Sequence, residues 1–104
     1  MNNFKEYLEI HAYSESTIRC YDGNITKFLS WCNKRGYEAC TLDYKQCLDY
    51  VKYIQNRKNK ITQKSLNHRV GIVKLYFKYL VFDEQRHFNP LENTNIKGIE
   101  EDEF

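Results

Sequence analysis

The chain has 104 residues, 41% of them hydrophobic, 29% charged and 15% aromatic, with one Pro and four Gly. That is enough apolar side chain for one self-sufficient core, and it excludes a disordered, collagenous or repetitive chain. The formal net charge is only +2, but Glu100, Glu101, Asp102 and Glu103 close the chain, so residues 1–99 carry 16 basic against 10 acidic side chains, a net +6.

The first element in chain order is a short amphipathic helix begun at Asn2 or Asn3, with Phe4, Tyr7 and Leu8 inward and His11 at its end. Next, Ile18, Tyr21, Ile25, Phe28, Leu29 and Cys32 recur at steps of three and four, which draws one apolar stripe down a long helix. Ser14 or Ser16 caps its start. Lys34, Arg35 and Gly36 have the composition of a helix C-terminus: cations at the negative end of the dipole, then a residue tolerant of positive φ. Trp31 lies beside the stripe and is expected to pack rather than to stack on a base. Thr41 is the N-cap candidate of a third helix, with Tyr44, Cys47, Leu48, Val51 and Ile54 inward and an end near Arg57. Lys58, Asn59 and Lys60 make the next connection. Thr62 then caps a fourth helix with Leu66, Val70, Val73, Phe77 and Leu80 inward. Asn89 and Pro90 stop or restart the chain, and Leu91 to Ile96 form a last short helix. No stretch alternates apolar and polar residues long enough for a strand. The expected fold class is therefore all-α, a bundle of four main helices and a short C-terminal fifth.

Apolar runs are a few residues long, against the roughly 20 needed to span a bilayer, and Met1 to Glu6 lacks the basic-then-apolar order of a secretory signal. The expectation is a soluble cytoplasmic domain with no membrane partner. Cys20, Cys32, Cys40 and Cys47 include no C-x-x-C pair, and His11, His68 and His87 do not sit at ligand spacing from them. Reduced thiols are expected, with Cys32 and Cys47 as small core residues, and neither a metal nor another cofactor.

Charge and helix period together locate a candidate surface. No acidic residue falls between Asp49 and Asp83, where Lys52, Arg57, Lys58, Lys60, Lys64, Arg69, Lys74 and Lys78 supply eight positive charges that attract phosphate. Turning the fourth-helix stripe inward leaves Lys64, Asn67, His68, Gly71, Lys74 and Lys78 outward. Lys can meet phosphate or guanine, Asn can bond adenine bidentately, and Gly71 lets backbone approach closely. On the second helix the outward set is Thr17, Arg19, Cys20, Gly23, Asn24 and Lys27, with Asp22 toward its side. Lys52 and Arg69 serve equally well as solvated helix flanks.

In order and spacing the segments "FKEYLEIHAYSESTIRCYDGNITKFLSWC", "TLDYKQCLDYVKYIQ", "TQKSLNHRVGIVKLYFKYLV" and "NPLENTNIKGI" resemble the N-terminal core-binding domain of the tyrosine recombinases, the phage integrases and Xer-like site-specific recombinases. The resemblance covers roughly residues 4–99. It implies a SAM-like helical domain that clamps one face of a double-stranded core recombination site, with its second and fourth helices in or near the major groove. Matching the opening "SESTIRCYDG" carries DNA contact onto Thr17, Arg19 and Cys20, and matching "QKSLNHR" carries it onto Lys64, Ser65, Asn67 and His68. With Lys27, Lys60, Gly71 and Lys74 these are the candidate DNA-binding residues. Such enzymes cut and rejoin DNA through a 3'-phosphotyrosine made by a separate C-terminal domain, and they assemble as tetramers on paired sites.

No Arg-x-x-His arrangement accompanies any of the nine tyrosines, so Tyr7, Tyr21, Tyr44, Tyr76 and Tyr79 read as core or rim aromatics and the chain itself as non-catalytic. The domain expectation is a core-binding unit over residues 1–99, with residues 100–104 opening an acidic linker toward a catalytic domain outside this chain. The competing reading is a helical protein-interaction module that joins protomers without reading bases. A stand-alone enzyme is disfavoured by the absence of paired carboxylates, a nucleophile and base pair, or a phosphate loop.

Overall fold

Each helix begins where a side chain can accept from a free backbone N–H. A computed structural model describes residues 3–56 and 61–91. It contains α1 (Phe4–Ile10), α2 (Glu15–Arg35), α3 (Tyr44–Gln55) and α4 (Gln63–Phe82), and no strand among the described residues. Asn3 caps α1 by accepting from the Glu6 N–H at 2.9 Å, Ser14 caps α2 by accepting from Thr17, and Thr62 caps α4 by accepting from Ser65. The third cap is Asp43, not the expected Thr41. Asp43 Oδ1 accepts from the Gln46 N–H at 2.8 Å while Gln46 Oε1 accepts from the Asp43 N–H at 3.0 Å, so two free donors are satisfied reciprocally.

Three helices end in the same way. At α2 the Gly36 N–H donates to Asn33 O and the Tyr37 N–H to Cys32 O, with Gly36 at φ 74°. The same pair of bonds closes α1 around Ala12 (φ 63°) and α4 around Glu84 (φ 61°). The fourth helix therefore stops at Phe82, well before the expected breaker. Asn89 and Pro90 make a later turn. Asn89 Oδ1 accepts from the Leu91 N–H, its Nδ2 donates to Lys74 O at 3.1 Å, and Leu91 is buried. The expected short fifth helix lies, beyond Leu91, outside the described residues.

The core gathers the apolar stripes of all four helices. Ile18, Ile25, Phe28 and Cys32 of α2 and Leu66, Val70, Val73, Phe77 and Leu80 of α4 are buried as the periodicity requires. Trp31 is buried as well. Phe28 and Phe77 are wholly enclosed and meet edge to face at 5.9 Å between centroids; Phe28 also meets Tyr50 at 4.9 Å. Of the expected inward positions, Tyr44 is exposed because it opens α3 at the rim, Leu48 is half-buried and Leu29 is on the surface; Tyr50 takes their place in the centre. Ile72 and Tyr79 broaden the buried face of α4, Tyr79 against Phe4 and Tyr7 of α1.

Arg86 is a buried cation that holds the loops together. Its Nη1 donates to Ala39 O and its Nη2 to Leu42 O, both at 2.8 Å, and the guanidinium lies 5.0 Å over the Phe77 ring. The segment after α4 is thereby tied to the α2–α3 loop. All four cysteines are free thiols. Burial pushes Cys32 up to about 11 and Cys47 up to about 12, so both stay neutral and unreactive near pH 7.

Candidate nucleic-acid interface

Packing α2 beside α4 turns parts of two helices outward together. Cys20 Sγ lies 3.9 Å from His68 Nε2, and the Tyr21 and His68 rings meet edge to face at 6.0 Å. Two residues 48 positions apart thus join the α2 and α4 candidates into one surface. Arg19, Cys20, Gly23 and Lys27 of α2 and Lys64, Ser65, His68, Gly71 and Lys78 of α4 are exposed; Asn24 and Lys74 are half-buried. Asn24 Nδ2 donates to Cys20 O at 2.9 Å, which fixes its amide beside the thiol. Thr17 is half-buried, and its Oγ1 accepts from the Ser14 hydroxyl at 2.8 Å, so it serves the helix cap.

Asn67 does not lie on the expected outward face: it is 6% exposed and its Oδ1 accepts from Gln63 Nε2 at 2.9 Å. The buried face of α4 is wider than one stripe, and Asn67 lies inside its edge. Lys60 lies outside the described residues.

Electrostatics favour an anion over this face. Helix α4 contains no acidic residue, while Lys64, Lys74 and Lys78 space three cations along about 21 Å of it. Asp22 of α2 lies on the other flank, in a cleft with Phe4, Leu29, Tyr79 and Asp83. A Cβ built on Gly71 would meet nothing within 4 Å, and the same holds for Gly23. Neither glycine is there to admit a neighbouring helix among the described residues.

A cleft of about 750 Å³ adjoins the far end of the same face, lined by Gly71, Lys74, Lys78, Phe82, Phe88 and His11 among others. Phe82 and Phe88, with Ile10 nearby in sequence to His11, are more than half exposed. The described residues contain no group of three or more His, Cys, Asp or Glu side chains that could hold a metal ion, and no helix among them is long and apolar enough to cross a membrane.

Residues 1–87 match the family described as "Phage integrase, N-terminal SAM-like domain". The chain belongs to that family. This SAM-like domain is 25% identical over 100 residues to a "Tyrosine recombinase" of Pseudothermotoga lettingae, a match that covers 95% of the chain and 35% of the relative. It is 21% identical over 100 residues to a "Tyrosine recombinase XerD" of Rickettsia conorii, covering 92% and 32%, and 27% identical over 79 residues to a "TnP I resolvase" of Bacillus thuringiensis, covering 75% and 28%. The SAM-like domain thus spans about a third of the length of the curated relatives it matches. No solved structure matches it significantly.

Proposed function

We propose that this chain is the DNA-binding part of a tyrosine site-specific recombinase, clamping one side of a double-stranded core site through the joined faces of α2 and α4. The observation that carries the reading is the acid-free outer surface of α4, brought by the Cys20 and His68 contact into one face with the outward residues of α2. In this reading Lys64, Lys74, Arg19 and Lys27 anchor phosphates. Ser65, His68 and Cys20 lie where base edges come within reach. Asn67 acts from beneath, since with Gln63 it forms the polar edge of the buried face; base contact by Asn67 requires its amide to leave that bond. The cutting and rejoining chemistry belongs to a domain that follows residues 100–104, and the tetramer forms on paired sites in the whole recombinase.

Charge reversal tests the reading directly. The double variant Lys64→Glu/Lys74→Glu is expected to bind a duplex at least about tenfold more weakly, because each side chain changes from attracting to repelling phosphate. Competition binding measures it, and unchanged affinity would leave the face without its assigned role.

Gly71→Ala has effects of opposite sign. With open space around Gly71, alanine is expected to stabilise the free domain by about 0.5 to 1 kcal/mol, through helix propensity alone. Duplex binding is expected to weaken, since the methyl group occupies space left for the DNA. Thermal unfolding and binding isotherms on the same sample read both.

The exposed Phe82 and Phe88 in the cleft favour a second role for the far end of this face, beyond Lys74 and Lys78: the docking of a neighbouring protomer. Association that fails in a Phe88→Ser variant while duplex binding persists separates that role from DNA contact.

A further inference from the structure

A second basic cleft lies between α2, α3 and α4. Its volume is about 620 Å³, and Lys27, Lys34, Arg35, Arg69, Trp31 and Tyr53 line it. No carboxylate lines it, and among the described residues none of the four cations pairs with one. The arrangement is specific in detail. The Arg35 guanidinium lies 5.2 Å over the Trp31 ring. Arg69 Nη2 donates to Tyr50 Oη at 3.5 Å, while Arg69 Nε is buried with no hydrogen-bond partner. Trp31 is 5% exposed, and its Nε1 is likewise buried without a partner. Four like charges around one cleft, with no carboxylate among them, are an arrangement that an oxyanion relieves.

We infer that this cleft anchors backbone phosphate of the duplex held on the α2 and α4 face. The inference rests on the DNA-binding reading and adds a site to it. Cys20, Asn24, Lys27 and Lys34 share one face of α2, with the buried Trp31 on the same side between Lys27 and Lys34, so the cleft continues the outward stripe of α2. From Cys20 to Lys34 the helix advances about 21 Å, and a major groove is about 12 Å wide. A helix seated in the groove at its Cys20 end therefore carries Lys34 past the groove edge, onto the sugar-phosphate strand. A phosphodiester presents two non-bridging oxygens to Arg69, Lys27 and Lys34, with no dependence on sequence.

The chain's single tryptophan, Trp31, lies in the wall of this cleft, so its fluorescence reports the site. The full chain is titrated with a labelled duplex of random sequence, and label anisotropy and Trp31 emission are followed together. Both are expected to change with one midpoint. The Lys34→Gln/Arg35→Gln variant is expected to bind about three- to tenfold more weakly, with the salt slope reduced by about one. Lys34→Gln alone, at an exposed position, keeps the Arg35 and Trp31 contact and is expected to show part of the same loss. If the two cations serve only the negative end of the α2 dipole, the variants lower the melting temperature and leave duplex affinity and slope unchanged, which overturns the inference while the DNA-binding reading stands. Inorganic phosphate alone provides the other arm: a Trp31 response to it at the concentration where duplex phosphate acts would mark a free-anion site and overturn the backbone assignment. Absence of any anisotropy change at low salt removes both readings.

Discussion

Phe77→Ala is expected to cost about 3 to 5 kcal/mol of unfolding free energy, a large part of the stability of a domain this small. Phe77 is fully enclosed, and three kinds of contact depend on its ring. It meets Phe28 edge to face at 5.9 Å, lies beside Tyr76 at 6.4 Å, and carries the Arg86 guanidinium at 5.0 Å. Truncation opens a cavity between α2 and α4, and it removes the surface on which Arg86 rests while that cation holds the carbonyls of Ala39 and Leu42. The surrounding rings are too rigid to collapse into the space, so the cavity contribution adds to the lost transfer energy. Denaturant unfolding decides it. A loss below about 1 kcal/mol would mean that Phe77 is not at the centre of the bundle.

Helix period alone makes most of this core legible in the sequence. The α2 and α4 stripes needed only steps of three and four, and Ser14, Gly36 and Thr62 mark helix ends by chemistry that composition reveals. What escaped has specific causes. Asp43 and Gln46 do carry a capping-box spacing, but Thr41 offered an equally good hydroxyl two residues earlier. The left-handed residues that end α1 and α4 are Ala12 and Glu84, residue types that give no sign of positive φ, so the sequence shows a breaker only at Asn89 and Pro90 although α4 closes at Phe82.

Long-range pairing leaves no local signal in the sequence. Nothing in the local sequence marks Arg86, whose partners Ala39 and Leu42 lie 47 and 44 positions away. Five apolar positions define one stripe and leave Asn67 outside it, whereas contact with more than one neighbouring helix buries a wider arc of α4. For the candidate interface, the acid-free run and the outward faces were readable, but the meeting of Cys20 with His68 was not. The basic cleft was hidden differently. Lys34 and Arg35 look like ordinary C-terminal cations of α2 and Arg69 like a solvated flank; only the packing of α3 beside them shows that they converge on Trp31.

The salt dependence of duplex binding tests the central claim most directly. Arg19, Lys27, Lys64, Lys74 and Lys78 supply five cations on the proposed face, and each neutralised phosphate contributes a log-log slope of about 0.9. The expected slope is therefore about 4 to 5, so that a fourfold rise in salt lowers affinity by several hundredfold. Titration of the domain with duplex at several salt concentrations between about 50 and 200 mM measures it. The account predicts a straight, steep fall over that range. A flat response, or no binding at the lowest salt, would contradict it.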